Sequence, residues 1–162
     1  AELDIGPNSI VWDIGAGSGS VAIEAAQLAT GGHVYAVEMD TDDFGLIKQN
    51  AARFGLANLT AILGQAPDAW KDLPDPDAIF IGGTGRQLAS IAANALDRLK
   101  SGGRIVADMT SIENLNEVQT ILRSTIVDVN VLMVNVSRGN YQLERLSFDS
   151  LTPKFILSAV KP

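Results

Sequence analysis

The sequence predicts an α/β protein whose mostly parallel sheet is covered by helices on both faces. Short apolar runs alternate with amphipathic segments along most of the chain, their connections are short, and a glycine-rich turn follows the first apolar run. Alternating strands and helices with short connections imply right-handed crossovers. Such crossovers build a doubly wound, Rossmann-like sheet.

Seven strands are predicted from runs of apolar and β-branched residues. They cover residues 10–13, 34–38, 59–63, 78–81, 104–108, 127–137 and 155–160. Helices are predicted in the gaps that separate the first six strands. No helix-like segment lies between the last two strands, which predicts that the terminal strand is antiparallel.

The predicted helices carry their own start and stop signals. The clearest one has an apolar stripe at spacings of three and four residues and ends at the turn 100–103. The stripe consists of Leu88, Ile91, Ala92, Ala95, Leu96 and Leu99. An earlier helix is predicted to be capped by Asp42, to run to Phe54 and to be ended by Gly55.

The glycine-rich turn after the first strand is typical of a nucleotide-cofactor loop. Gly15 and Gly17 allow a tight turn and a close approach of backbone to ligand, and Gly19 allows close packing of the next helix. The free N–H groups at the start of that helix point toward the loop. Considered alone, the loop leaves both a dinucleotide and S-adenosylmethionine open.

Two details of this turn favour S-adenosylmethionine. Asp13 stands two residues before the first glycine, where a carboxylate can order the loop and accept from the ammonium of a methionine moiety. The third glycine position of the dinucleotide fingerprint is Ser20, whereas the glycines of this chain alternate. The predicted cofactor-binding residues of this segment are Asp13, Gly15, Ala16, Gly17, Ser18 and Gly19.

The next two strand ends add further cofactor-binding candidates. Glu38, with Met39 after it, ends the second strand, where a carboxylate can accept from both ribose hydroxyls. Gln65 and Ala66 follow the third strand and are predicted to contact the adenine edge. Trp70, slightly further on, is interpreted as the hydrophobic anchor of a short helix rather than as a stacking partner.

The segment after the fourth strand is predicted to face the substrate. It contains Gly82, Gly83, Thr84 and Arg86, and its glycines open space beside the expected methyl group. It lacks the Asn or Asp with two prolines and an aromatic residue that enzymes methylating adenine amino groups carry here. A flexible turn remains the alternative for the glycines, and a solvated position remains the alternative to carboxylate binding for Arg86.

Composition limits the function classes. The chain has 162 residues, 46% of them hydrophobic, which suffices for one domain with a core of its own. It has no cysteine, which excludes disulfides and thiolate zinc sites, and no metal site is predicted. With no long apolar run, a cytoplasmic protein without membrane contact is predicted. The net charge of −7 argues against a nucleic-acid partner.

Three segments together resemble the precorrin-6Y methyltransferase family of cobalamin biosynthesis, and the likeness covers nearly the whole chain. They are residues 12–26, 80–85 and 102–107. Within the family, the chain is most similar to the unit that methylates carbon 15 and decarboxylates the ring C acetate. The resemblance implies the class I methyltransferase fold, which usually ends in an antiparallel strand, with S-adenosylmethionine as methyl donor and a precorrin tetrapyrrole as substrate. It also implies a homotetramer formed through the late strands, and a carbon-5 methyltransferase domain or subunit as partner.

Two departures from the family pattern accompany this resemblance. Family members carry a helical segment before the first strand, so residues 1–162 are expected to form one methyltransferase domain that lacks this segment or a fused partner. After the fifth strand, Asp108 and Ser111 stand where the family tends to show other residues, which makes them weaker substrate candidates. A substrate rich in carboxylates needs local cations, for which the candidates are Arg86, Arg138, Arg145 and Lys154.

Three other functions stay open at this stage. A methyltransferase acting on transfer RNA shares the loop, although a basic face would be expected. A methyltransferase for another small molecule would keep the cofactor residues. A cofactor-binding subunit would bind S-adenosylmethionine without turnover.

Overall fold

The computed structural model describes residues 2–83, 87–126 and 128–162. Its strands are β1 (Ile10–Ile14), β2 (His33–Glu38), β3 (Leu59–Leu63), β4 (Ala78–Ile81), β5 (Arg104–Met109), β6 (Val129–Val134), β7 (Ser137–Gln142), β8 (Arg145–Ser150) and β9 (Lys154–Val160). Its α-helices are α1 (Ser20–Leu28), α2 (Thr41–Arg53), α3 (Leu88–Arg98) and α4 (Ile112–Arg123). A 3₁₀ turn covers Asp68–Trp70.

Seven strands form one sheet in the order β3-β2-β1-β4-β5-β9-β6. The pairings among β1 to β5 are parallel, whereas β9 is antiparallel to both β5 and β6. The predicted class I methyltransferase fold, with its antiparallel terminal strand, is therefore confirmed. The strand order reverses between β1 and β4, which is where such sheets bind ligands.

The region after α4 differs from the prediction. Within the predicted strand 127–137, only Val129–Val134 forms β6, Ser137 already begins β7, and Val127 lies outside the described residues. A hairpin of β7 and β8, which the sequence analysis missed, then forms a separate two-stranded sheet. Its strands mix polar and apolar residues without a buried face, so they lack the alternation that identifies a half-buried strand.

Two local predictions about helices are wrong. The third gap contains only the 3₁₀ turn, because Pro67, Pro74 and Pro76 interrupt any longer helix there. Asp40, not Asp42, caps α2: its Oδ1 accepts from the N–H groups of Asp42 and Asp43 at 2.8 and 3.1 Å. A capping carboxylate must precede the first turn to reach these free N–H groups, whereas Asp42 lies within that turn.

The core has a cluster on each face of the sheet. On the face covered by α3 and α4, Trp12 stacks on Trp70 with ring centroids 5.4 Å apart. The Trp70 side chain is buried in this cluster, which confirms its interpretation as a hydrophobic anchor, and the ring on which it stacks belongs to the core. On the opposite face, Val11 packs among small side chains of α1 and β2. No helix in the described ranges is long and apolar enough to cross a membrane.

Candidate functional site

A cavity opens at the carboxyl ends of β1 to β4, on both sides of the point where strand order reverses. Five of the predicted cofactor residues line it: Gly15, Glu38, Met39, Gln65 and Ala66. Gly83 also lines it, from the predicted substrate segment. The parallel strands bring these positions together because their carboxyl ends share one edge of the sheet.

The cavity also has lining residues that the sequence analysis did not single out. Gly64 lies directly before Gln65, while Gln87 and Ile91 come from the start of α3. Gln65 Nε2 donates to Gln87 Oε1 at 3.1 Å, so these amides join two walls of the cavity. Ile91 belongs to the predicted apolar stripe of α3, and nothing in that spacing distinguishes a core position from a cavity wall.

The glycine loop adopts a conformation that side chains disfavour. Gly15, Gly17 and Gly19 have φ values of 69°, 53° and 84°, all in the left-handed region. A Cβ on Gly19 would lie 3.2 Å from Cγ1 of Ile47, so this glycine also allows α1 and α2 to approach each other. The N–H groups of Gly15 and Ala16 donate to the carbonyl of Val37 at 2.9 and 3.2 Å.

The other loop candidates lie behind or beside the cavity. Asp13, Ala16, Gly17, Ser18 and Gly19 are not among its lining residues. The carbonyl of Ser18 accepts from the side-chain amide of Asn50 at 3.0 Å, which ties the loop to α2.

Glu38 is a buried carboxylate that connects the loop with the end of β2. Its Oε2 accepts from the Gly17 N–H at 2.8 Å. Its Oε1 accepts from the N–H groups of Met39 and Asp40 at 2.7 and 2.9 Å. These three bonds hold the carboxylate at the cavity wall, where the predicted ribose contacts require it.

The carboxylate of Asp13 is buried with little to stabilise its negative charge. Among the described residues, neither of its carboxylate oxygens has a hydrogen-bond partner. Burial raises the pKa of Asp13 to about 7; the negative charge of Glu38 also raises it, and the nearby Ala22 N–H lowers it only in part. A nearby cation would favour the ionised form, so the site fits the ammonium group that the sequence analysis placed beside Asp13.

The predicted substrate segment begins close to the glycine loop. The Gly82 N–H donates to the carbonyl of Ile14 at 2.9 Å, and a Cβ at this position would lie 3.1 Å from Cε1 of Phe80. Gly83 has a φ of 61°, and its Cβ would lie 3.5 Å from the carbonyl oxygen of Gly15. Thr84 and Arg86 lie outside the described residues.

The remaining substrate candidates are distributed over three regions. Lys154 Nζ lies 2.8 Å from Asp108 Oδ2 at the carboxyl edge of the main sheet. Arg138 and Arg145 lie on the separate β7–β8 hairpin, which contributes no residue to the cavity. Ser111 caps α4, accepting from the Asn114 N–H at 3.2 Å and donating to Glu113 at 2.6 Å, so its side chain has a structural role.

A family model described as a precorrin methyltransferase domain matches residues 1–148. The chain belongs to this family. It is 34% identical over 161 residues to a probable cobalt-precorrin-6B C(15)-methyltransferase (decarboxylating) of Pyrobaculum calidifontis, covering 98% of this chain and 82% of the relative. A protein of the same name from Sulfurisphaera tokodaii is 39% identical, over 93% of this chain and 79% of the relative.

Solved structures of precorrin methyltransferases agree with this assignment. The precorrin-6Y C5,15-methyltransferase of Geobacter metallireducens superposes with a TM-score of 0.90 at 37% identity, over 99% of this chain and 85% of that one. A transfer RNA (m1A58) methyltransferase of Aquifex aeolicus has a TM-score of 0.77 at 16% identity, over 99% of this chain and 65% of that one. The second likeness shows a shared fold only.

Proposed function

We propose that this precorrin methyltransferase domain transfers a methyl group from S-adenosylmethionine to carbon 15 of a precorrin, and that the ring C acetate loses its carboxyl group as carbon dioxide, in cobalamin biosynthesis. The observation that carries this proposal is the cavity at the carboxyl ends of β1 to β4, formed in a chain that belongs to this family. The names of the relatives, decarboxylating C(15)-methyltransferases, support the reaction.

The cavity residues suit S-adenosylmethionine. Glu38 would accept from the ribose hydroxyls, and Gln65 with Ala66 would contact the adenine edge. The buried carboxylate of Asp13 would accept a hydrogen bond from the ammonium group of the methionine moiety, directly or through water. When bound, the sulfonium supplies an already activated methyl group.

The residues of this chain contribute to the reaction by aligning the two reactants and by leaving space for the substrate. Catalysis needs the nucleophilic carbon in line with the methyl group and sulfur, which is a proximity effect. Gly83, which lines the cavity without a side chain, would leave room for a bulky substrate close to the loop backbone, whereas Gly82 makes room for the ring of Phe80. The electron-rich tetrapyrrole supplies the carbon nucleophile. Its ring system accepts the electron pair as the acetate C–C bond breaks, and the remaining methylene carbon then takes up a proton.

Mass spectrometry tests this function. Precorrin-6B and S-adenosylmethionine are incubated with the protein, with heat-denatured protein and with no protein. We expect a product that has gained one methyl group and lost one carbon dioxide, together with S-adenosylhomocysteine. A preparation that binds the cofactor but leaves precorrin-6B unchanged would contradict the proposal. In that case, parallel incubations with transfer RNA or other acceptors would test the alternative methyltransferase functions.

We also propose that the chain forms a homotetramer through its late strands. The β7–β8 hairpin exposes large apolar side chains, with Tyr141, Leu143 and Phe148 exposed by 72, 96 and 65%. Exposed apolar patches of this kind are typical of association surfaces. By light scattering, we expect a tetramer for the parent protein and a smaller species for Leu143→Asp. The control is Phe54→Ser, which removes an exposed aromatic side chain after α2. A monomeric parent protein would contradict the proposal.

A carbon-5 methylating domain or subunit is the proposed partner, and the cytoplasm is the proposed location. A Sinorhizobium protein named precorrin-6Y C(5,15)-methyltransferase is 41% identical over 104 residues, and this match covers 25% of that protein. The rest of that longer chain has room for a second activity. A chain that needs no disulfide is compatible with the reducing cytoplasm, which supports the proposed location.

A further inference from the structure

We propose that Lys154 binds a carboxylate of the precorrin substrate and that Asp108 holds the lysine ammonium in position. This inference rests on the proposed function, since it names a contact with the same substrate. It concerns the half of the sheet edge that lies beyond the cofactor cavity.

The residues of the site follow one another along the carboxyl edge of the sheet. In strand order from β3 to β9 they are Gln65, Glu38, Gly15, Gly83, Asp108 and Lys154. The first four line the cavity. β9 lies two strands beyond β4, which places Lys154 about 10 Å from Gly82 and Gly83, the glycine pair that follows β4. A macrocycle whose reacting carbon lies at the glycine pair would reach Lys154 with a peripheral acid group.

The strand register places Asp108 directly beside the glycine pair. Ile81 pairs with Ala107, and the next residues of the two strands are Gly82 and Asp108. Side chains alternate along a strand, so Asp108 lies on the same face of the sheet as Val106. On that face, Val106, Phe80 and Ile156 contribute to a mostly apolar groove, whose lining also includes the acidic residues Glu2, Asp4 and Glu24. The Asp108–Lys154 pair therefore stands where a mostly apolar surface meets the carboxyl edge. A flat apolar ring fits such a surface, and Lys154 supplies a cation there for one of its acidic substituents.

The charges single out Lys154. The strands of the seven-stranded sheet contain two lysine or arginine residues, Arg104 and Lys154. Arg104 begins β5 at the amino edge of the parallel strands, whereas Lys154 lies at their carboxyl edge. Its side chain is 51% exposed, so its ammonium can contact a ligand while bound to Asp108. In a chain with a net charge of −7, this local cation offers a place for a substrate carboxylate.

Asp108 has the properties of a positioning residue. Its Oδ2 accepts from Lys154, whereas its Oδ1 is buried and has no partner among the described residues. Burying an oxygen without a partner is unfavourable, so packing alone does not explain a carboxylate at this position. Its negative charge orients the ammonium.

The test compares Lys154→Met with a matched control. Lys100→Met breaks the Lys100–Asp77 pair, which has the same 2.8 Å distance and similar exposure but lies at the opposite end of the strands. We expect Lys154→Met to raise KM for precorrin-6B by about tenfold or more, with kcat and the Kd for S-adenosylmethionine within about twofold of the parent values. Lys100→Met should leave all three unchanged, and Lys154→Arg should restore most of the loss.

Two further results decide the roles of the pair. Asp108→Asn should raise KM less than Lys154→Met does and leave kcat unchanged. A fall in kcat with KM unchanged would overturn the positioning role of Asp108. If the parent protein is active and Lys154→Met has the same KM for precorrin-6B, the inference is overturned while the proposed function remains intact. If the parent protein does not act on precorrin-6B, the proposed function fails instead. Calorimetric binding of S-adenosylmethionine confirms in every case that the variant is folded.

Discussion

The Glu38→Ala variant is expected to bind S-adenosylmethionine about 5- to 150-fold more weakly than the parent protein. The substitution removes the acceptor proposed for the ribose hydroxyls. It also leaves the N–H groups of Gly17, Met39 and Asp40 without their side-chain acceptor. Isothermal titration calorimetry measures the affinity directly and needs no substrate.

A control separates this effect from a general loss of negative charge. Glu117→Ala removes an exposed glutamate on α4, far along the chain from the loop, and should leave the affinity unchanged. Thermal unfolding of Glu38→Ala should occur at a lower temperature, because Glu38 connects the loop with the end of β2. Parent-like affinity in Glu38→Ala would show that the ribose contact is assigned to the wrong residue.

The Asp13→Asn variant is expected to be more stable than the parent protein at pH 8 and equally stable below pH 4. In the folded state, burial raises the pKa of Asp13 to about 7 from an ordinary value of 3.8. The folded protein therefore binds a proton that the unfolded chain releases, and stability falls as the pH rises from about 4 to about 7. Above about pH 7 the free energy of unfolding stays lower by the full amount, up to about 4 kcal/mol.

Urea unfolding at pH 4 and pH 8 checks this sign. Asp97→Asn, at an exposed position of α3, is the control and should not change the pH dependence. If Asp13→Asn and the parent protein show the same difference in stability between pH 4 and pH 8, the buried carboxyl does not titrate near 7.

The same substitution has the opposite effect on the cofactor. An ammonium near Asp13 favours the ionised carboxyl, so binding of S-adenosylmethionine by the parent protein near pH 6 should release a proton. Calorimetry in buffers of different ionisation enthalpy measures this release. Asp13→Asn should bind more weakly and release none. An unchanged affinity in this variant would contradict the proposed role of Asp13.

Part of the site could be predicted because position along a parallel strand is enough to locate it. Glu38 ends a predicted strand, the glycine turn and Gln65 each follow one, and the carboxyl ends of parallel strands share one edge of the sheet. The structure brings these positions to one cavity, as that rule requires. Ile91 could not be predicted in the same way, because an apolar helical stripe does not reveal which of its members faces a cavity. Gln87 precedes α3 and follows no strand directly, so its position along the chain did not indicate the site either.

The errors of prediction have local causes. The hairpin of β7 and β8 lacks a buried face, and Asp40 precedes Asp42 as a second acid of the same type near the start of α2. In each case the pattern was compatible with several structures. Contacts with neighbouring residues decide among them.

The amino-acid sequence by itself determined the seven-stranded α/β fold, the glycine loop and the strand ends that carry the site, because hydrophobic periodicity and glycine conformation act over a few residues. Only the tertiary structure decided that Glu38 accepts from Gly17 and that Lys154 contacts Asp108. It also decided that the buried carboxylate of Asp13 has no hydrogen-bond partner among the described residues. These contacts join residues far apart in the chain. Burial and electrostatic interaction depend on distances in space that spacing along the sequence does not contain.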